Sequence, residues 1–257
     1  MTLKDMRARL IPVELDYAHF NALRTAVAED LSGIRRGAHQ AIEYLVDPAR
    51  PSSTYYNRAI GRFADSLSDS SLRALPSGIV GLETIPAQMT HEVADRLFRL
   101  RFRPVHQLCY LGAAPVGGIR VEHEVIRLNR SDVGNFFDLL QLEGTDFPAQ
   151  RRVQKKRYYC TEQFRAYVSK TAQGAVSGWT TMYVSGSVCY LGNSFTLPKF
   201  RNTGAHGALL ATRLNDAAEM GLEAAFTDVE HGSQSHHNCE RAGFRILTIN
   251  LIWKKQP

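Results

Sequence analysis

The stretch RNTGAHGALLATRL, residues 201–214, sets a guanidinium, a hydroxyl and two glycines directly ahead of a helical pattern. The first turn of a helix carries backbone N–H groups without partners inside the helix, and together with the helix dipole they attract an anion. Gly204 and Gly207 let a ligand approach the backbone, Thr203 offers a hydroxyl, and Arg201 sits where it can meet a phosphate. The spacing R-x-x-G-x-x-G is neither the G-x-x-x-x-G-K-[ST] of a P-loop nor the G-x-G-x-x-G of a dinucleotide fold. These residues alone leave two readings open, a phosphate cradle of another kind and a helix start whose glycines only ease packing.

Two later groups can move protons. In FTDVEHG, residues 226–232, alternation along a strand sends Asp228 and Glu230 to one face, with Glu230 nearer the strand end. Glu230 or His231 is therefore preferred to Asp228 as a general base, beside the plain reading of solvent-facing polar residues at a strand exit. The following SQSHHNCERAG carries Ser235, His237, Asn238 and Cys239; a thiol of ordinary pKa can donate a proton, and cysteine is also often buried for packing. Cys109, Cys160, Cys189 and Cys239 form no C-x-x-C pair, which excludes a zinc ribbon and a dense disulfide framework, and no metal is expected.

The chain that must position these groups has 257 residues, 44% hydrophobic and 22% charged, the balance of a globular protein of one large or two small domains. It contains no apolar run of membrane-spanning length, and its start lacks the apolar stretch of a secretory signal, so no membrane association and a cytoplasmic location are expected. A net charge of +6 favours an anionic partner such as a phosphorylated cofactor or nucleic acid, or serves nothing beyond solubility. The basic run RRVQKKR, 151–157, reads as a solvated helix face.

Periodicity predicts a helix over LDYAHFNALRTAVAED, 15–30, with Leu15, Phe20, Leu23 and Val27 on its apolar side, then a strand at AIEYLV, 41–46. DPARPSSTYYNRAIG, 47–61, reads as a surface loop. Strand, helix and strand follow at 78–85, 91–101 and 104–112, ending at GAAPVGG, 112–118. Beyond it come a strand at IRVEHEVIRL, 119–128, a helix capped by Ser131, and a break at EGTDFPAQ, 143–150. Three strands at 164–171, 175–186 and 188–197 form an antiparallel meander. A helix of about 16 residues starts near Gly204, and strand, helix and strand complete the chain. RLRFRP, 99–104, and RAGFRI, 241–246, each close a helix and open a strand, which suggests two related halves.

The motif Arg201, Gly204, His206 after a meander, with HHNCERAGF in the last helix, resembles the GNAT acyltransferase superfamily and its [RQ]-x-x-G-x-[GA] loop. The likeness covers roughly 120–255 and departs from the pattern at His206, where Gly or Ala is usual; histidine crowds the backbone there, although its ring can donate to an oxygen. The resemblance implies an α/β (α+β) fold with a mixed, mostly antiparallel twisted sheet flanked by helices. It also implies a reduced N-terminal half, 1–115, without a CoA loop, and an acetyltransferase domain, 116–257. The N-terminal half is expected to wall the acceptor pocket.

In the same resemblance, backbone groups of Phe195, Thr196 and Leu197 pair with the pantetheine arm, as an added strand would. Amides of Asn202, Thr203, Gly204, Ala205, His206, Gly207 and Ala208 cradle the diphosphate with Arg201, and Asn238 contacts the pantetheine. Cys239 stands where the family often has a tyrosine acid, opposite a base at Glu230 or His231. The implied activity is transfer of an acetyl group from acetyl-CoA, as co-substrate, to a primary amine of a small molecule or amino-acid-like metabolite, by a monomer or homodimer. Two alternatives remain: an acyl-CoA sensor without turnover, and acetylation of an RNA-linked amine. No basic–aromatic stripe supports a nucleic-acid partner.

Overall fold

The computed structural model describes residues 2–27, 30–39, 41–61, 67–142, 144 and 148–257. In chain order the elements are α1 (Leu3–Thr25), β1 (Arg35–His39), β2 (Ile42–Val46), β3 (Arg58–Gly61), α2 (Asp69–Arg73), β4 (Gly81–Thr84), α3 (His91–Arg99) and β5 (Phe102–Ala113). They continue with β6 (Glu124–Leu128), α4 (Val133–Leu142), α5 (Ala149–Lys155), β7 (Phe164–Lys170), β8 (Val176–Ser185) and β9 (Val188–Thr196). The last are α6 (Ala205–Glu219), β10 (Ala224–Val229), α7 (Gln234–Arg241) and β11 (Arg245–Lys255). Among the described residues no helix is long and apolar enough to cross a membrane.

The chain divides into two compact units. The first comprises residues 2–110, 229–231 and 246–257; the second comprises 111–228 and 232–245. In the first, the strand order is β1-β2-β3-β4-β11-β5, with β3 and β4 parallel and the β1–β2, β2–β3 and β4–β11 pairs antiparallel. Helix α1 packs on β1 and β2, and Leu15, Ala18 and Ala22 bury against Leu45 and Ile60. A buried ion cluster lies under it. Arg58 pairs with Glu14 and, at 3.3 Å, with Glu83, whose other oxygen accepts from Asn250 Nδ2 at 2.7 Å. Arg58 is 4% exposed and Glu83 1%, so these charges are sustained by one another rather than by water.

In the second unit the order is β10-β9-β8-β7-β6; β9 and β10 run parallel and the other pairs are antiparallel. This is the expected meander, β7-β8-β9. Helix α6 packs on β7, β8 and β9. Phe136 and Phe137 of α4 both meet Tyr159, Phe136 also meets Trp179, and Tyr159 meets Phe164 in an aromatic core. Both units are thus mixed, mostly antiparallel sheets with helices against them.

Several sequence expectations are corrected. The first helix begins at Leu3, because Thr2 and Asp5 form a capping box and Pro12 is accommodated within the helix. It ends at Thr25, so Val27 lies beyond it and is 75% exposed; Ala28 and Glu29 lie outside the described residues. The presumed loop at 47–61 ends in a buried strand, β3. The cap before α4 is Asn129, not Ser131: Asn129 Oδ1 accepts from Ser131 N at 2.8 Å while Asp132 reaches back to Asn129 N at 2.8 Å. In the expected break, Gly144 occupies a turn, whereas Glu143, Thr145, Asp146 and Phe147 lie outside the described residues. The basic run forms α5 and the turn after it, but Lys155 is buried and Arg152 pairs with Asp138, so its face is only partly solvated.

The echo between 99–104 and 241–246 extends to backbone conformation. After α3 the chain reverses through Arg101 at φ 66°, and after α7 through Gly243 at φ 91°, each followed by a buried phenylalanine, Phe102 or Phe244. Glycine enters this left-handed region without the Cβ clash that arginine suffers. Arg101→Gly is therefore expected to stabilise the protein by about 1 kcal/mol, read as a higher urea midpoint at unchanged slope.

Candidate functional site

A cavity of about 910 Å³ opens at the N-terminus of α6, lined entirely by residues of the second unit. Its floor follows from local chemistry. Asn202 (φ 62°) and Gly204 (φ 90°) both take left-handed backbone, and Gly204 caps α6 without a side-chain hydrogen bond. The N–H groups of Ala205, His206 and Gly207 are therefore left for a ligand, while Ala208 N already bonds Gly204 O at 3.0 Å. A Cβ on Gly207 would meet nothing within 4 Å, so the residue faces open space; one on Gly204 would stand 3.1 Å from His123 Nε2.

The segment before β6 completes the wall. Sequence reasoning predicts a strand from Ile119, but the strand starts at Glu124, because residues ahead of it are bound to α6. Asn215 accepts from Ile119 N at 2.9 Å and donates to Ile119 O at 2.8 Å, and the His123 ring meets Thr203 O at 2.7 Å. This brings Ile119 and Arg120 to the cavity. Arg120, Arg201 and Arg241 all line it, so three arginines and a helix N-terminus share one opening. Among the described residues no carboxylate lines it.

Of the residues assigned to the cofactor, Thr196, Arg201, Asn202, Gly204, Ala205, His206, Gly207 and Asn238 are brought together around this cavity. Four are not. Ala208 has its amide in the helix and its side chain buried. Thr203 donates its hydroxyl to Phe200 O at 2.7 Å, closing the loop instead of facing a ligand. Leu197 N bonds Ser177 O at 3.0 Å, and Phe195 pairs with Trp179, so by strand alternation both direct their backbone groups to β8. Thr196 between them turns its N–H and C=O to the other edge. That edge is available: β9 and β10 pair only over Val188–Tyr190 and Ala224–Phe226, after which Thr227 Oγ1 donates to Leu191 O.

The cavity also has wall residues that the motif did not reveal. Phe200, Gln234 and Arg241 contribute; Gln234 and Arg241 lie in the helix whose resemblance was noted, and helical spacing to Asn238 was the available signal. In β9, Asn193 has φ 48° at an irregularity in the β8 pairing, where Thr180 Oγ1 and Ser194 Oγ lie 2.7 Å apart. Arg213, buried on α6, donates to Thr181 O at 3.1 Å and Ser194 Oγ at 3.2 Å, tying this bulge to the helix.

Cys239 is buried and does not line the cavity; desolvation pushes its thiol up to about 11. Ser235, four residues earlier on the same helix, does line the cavity. Asp228 accepts from Tyr190 Oη at 2.5 Å. Glu230 and His231 are exposed after the last residue of β10 and belong to the first unit. His236, His237 and Glu240 cluster on α7, but His236 Nδ1 accepts from Gly232 N at 3.0 Å, which puts its proton on Nε2, the nitrogen facing Glu240. A protonated nitrogen is no metal ligand.

No protein-family model matches the sequence, and no curated protein matches it. The structure is similar to a GCN5-related N-acetyltransferase from Kribbella flavida, with 12% identity, 93% of this chain and 96% of that chain covered and a TM-score of 0.60. A GCN5-related N-acetyltransferase from Sphaerobacter thermophilus matches with 15% identity, 97% and 92% coverage and a TM-score of 0.59. A functionally unknown conserved protein from Staphylococcus epidermidis ATCC 12228 matches with 9% identity, 91% and 100% coverage and a TM-score of 0.57. At these identities the likeness is one of fold, and the chain has the GNAT fold.

Proposed function

We propose that the protein transfers an acetyl group from acetyl-CoA to a primary amine of a small molecule or amino-acid-like metabolite, as a cytoplasmic monomer or homodimer. The observation that carries this reading is the cavity at the N-terminus of α6, where uncapped amides and three arginines meet beside a free edge of β9. The residues fit the group: the amides of Ala205 to Gly207 suit a diphosphate, and the open space at Gly207 admits it. Thr196 offers one N–H and one C=O to the amides of a pantetheine arm. Acetyl-CoA supplies the activated thioester.

The chain's own part is to orient the two reactants, accept the proton of the amine and return one to the leaving sulfur. Glu230 or His231 is assigned as base. The acid is the Ser235–Cys239 pair, in which Ser235 stands at the cavity and Cys239 behind it. A thiol held at about 11 keeps its proton throughout the neutral range. We therefore expect kcat/KM not to fall between about pH 7.5 and 9.5; a descending limb near the ordinary thiol value of about 8.5 would exclude the buried thiol as acid.

A second reading, a sensor that binds acyl-CoA without turnover, is favoured by the placement of Cys239 off the cavity, where it cannot itself touch the leaving sulfur. Thiol release from acetyl-CoA, followed across a broad panel of amines, separates the two. Amine-dependent release supports the transferase; tight CoA binding with no release for any amine supports the sensor.

A further inference from the structure

The ring of His206, the residue that departs from the family pattern, has its protonation state fixed by a chain of donors within the second unit. Arg241 can only donate, so the oxygen of Asn238 faces it, and Gln234 Nε2 donates to that same oxygen at 3.1 Å. The amide nitrogen of Asn238 therefore faces His206 Nδ1, at 3.0 Å. An N–H directed at Nδ1 requires a lone pair there, which leaves the single proton of the neutral imidazole on Nε2. Nε2 has no partner among the described residues, and His206 lines the cavity.

We propose that the Nε2–H of His206 donates a hydrogen bond to an acceptor oxygen of CoA held in this cavity, and that Asn238 is the positioning residue that fixes this tautomer. The inference rests on the CoA reading above. It gives Asn238, beside the pantetheine contact that its second amide N–H can still make, a role as support for the ring. It also gives the histidine a use: the side chain adds a neutral donor beside three backbone donors, where a glycine would add none.

Burial, and then the nearby Arg213, hold the imidazole down to about 4, and Arg241 approaches only through Asn238. The donor is therefore neutral and present from pH 5 upward, and its contribution to binding does not titrate.

The test is calorimetric titration of CoA into the wild type, His206→Ala and Asn238→Asp from pH 5.5 to 8.5, with an imidazole 15N spectrum of the wild type. His206→Ala is expected to weaken CoA about tenfold, by a similar factor at every pH. Asn238→Asp faces Nδ1 with a carboxylate, which raises the imidazole pKa and restores a titrating charge. Its affinity relative to wild type should then rise as the pH falls, a slope that loss of packing alone would not produce. The spectrum should show the proton on Nε2.

Unchanged affinity in His206→Ala, a pH-independent ratio for Asn238→Asp, or a proton on Nδ1 would each overturn the proposal. Failure of the wild type itself to bind CoA would instead overturn the reading on which it rests.

Discussion

Arg201→Glu is expected to weaken CoA by about 100-fold at physiological salt, with a smaller loss for Arg201→Lys. Arg201 lines the cavity beside the uncapped turn of α6, and no side chain of another described residue engages its guanidinium. Losing a charge-assisted bond to an anion costs roughly 1.5–3 kcal/mol, or about 10–100-fold, and a carboxylate in its place adds repulsion. Lysine keeps the charge but loses the planar fork that matches a phosphate. The variant should also show a shallower dependence of affinity on salt, because one attractive charge is gone. Fluorescence or calorimetric titration at several salt concentrations checks both effects. Equal affinity for wild type and Arg201→Glu would mean that the anionic end of the ligand lies elsewhere.

Arg58→Met is expected to destabilise the first unit by about 3–5 kcal/mol, because it leaves Glu14 and Glu83 buried without their guanidinium. The sign of the pH dependence follows from desolvation. A buried carboxylate that has lost its counter-charge has its folded-state pKa raised above the unfolded value, so the penalty is full at pH above that raised pKa and is relieved as the pH falls through it. The gap in thermal midpoint between wild type and Arg58→Met should therefore narrow from pH 8 to pH 5. Combining Arg58→Met with Glu14→Gln and Glu83→Gln should recover much of the loss, since the cost lies in two buried carboxylates deprived of their guanidinium rather than in the missing side chain. A gap that stays constant with pH would show that packing, not charge, dominates.

The meander, the helix after Gly204 and the closing strand–helix–strand were legible because each rests on local pattern. Alternation marks β7 to β9, and the glycine loop marks the start of α6. What escaped depends on residues brought together from a distance. Asn215 pulls Ile119 out of the strand to which its own neighbours assign it, and that contact carries Arg120 to the cavity. Thr203 carries a hydroxyl that reads as a phosphate ligand, yet Phe200 O takes it. Phe195 and Thr196 end β9 and Leu197 follows it directly, but only the register with β8 reveals which of the three faces the free edge.

His206 and Cys239 show the same limit from the electrostatic side. Composition suggests an ordinary imidazole and an ordinary thiol; burial moves the first down to about 4 and the second up to about 11, and neither shift can be read before the fold is known. The echo between the two helix ends is a milder case. The sequence shows Phe102 and Phe244 after similar residues, and the backbone adds that Arg101 adopts a conformation suited to the glycine found at the other end.

The most direct measurement is a crystal structure of the protein grown with saturating CoA. The diphosphate should lie within hydrogen-bond distance of the amides of Ala205, His206 and Gly207, with the pantetheine arm running along β9 at Thr196. CoA bound with its diphosphate away from α6, or a cavity left empty at saturating CoA, would contradict the assignment.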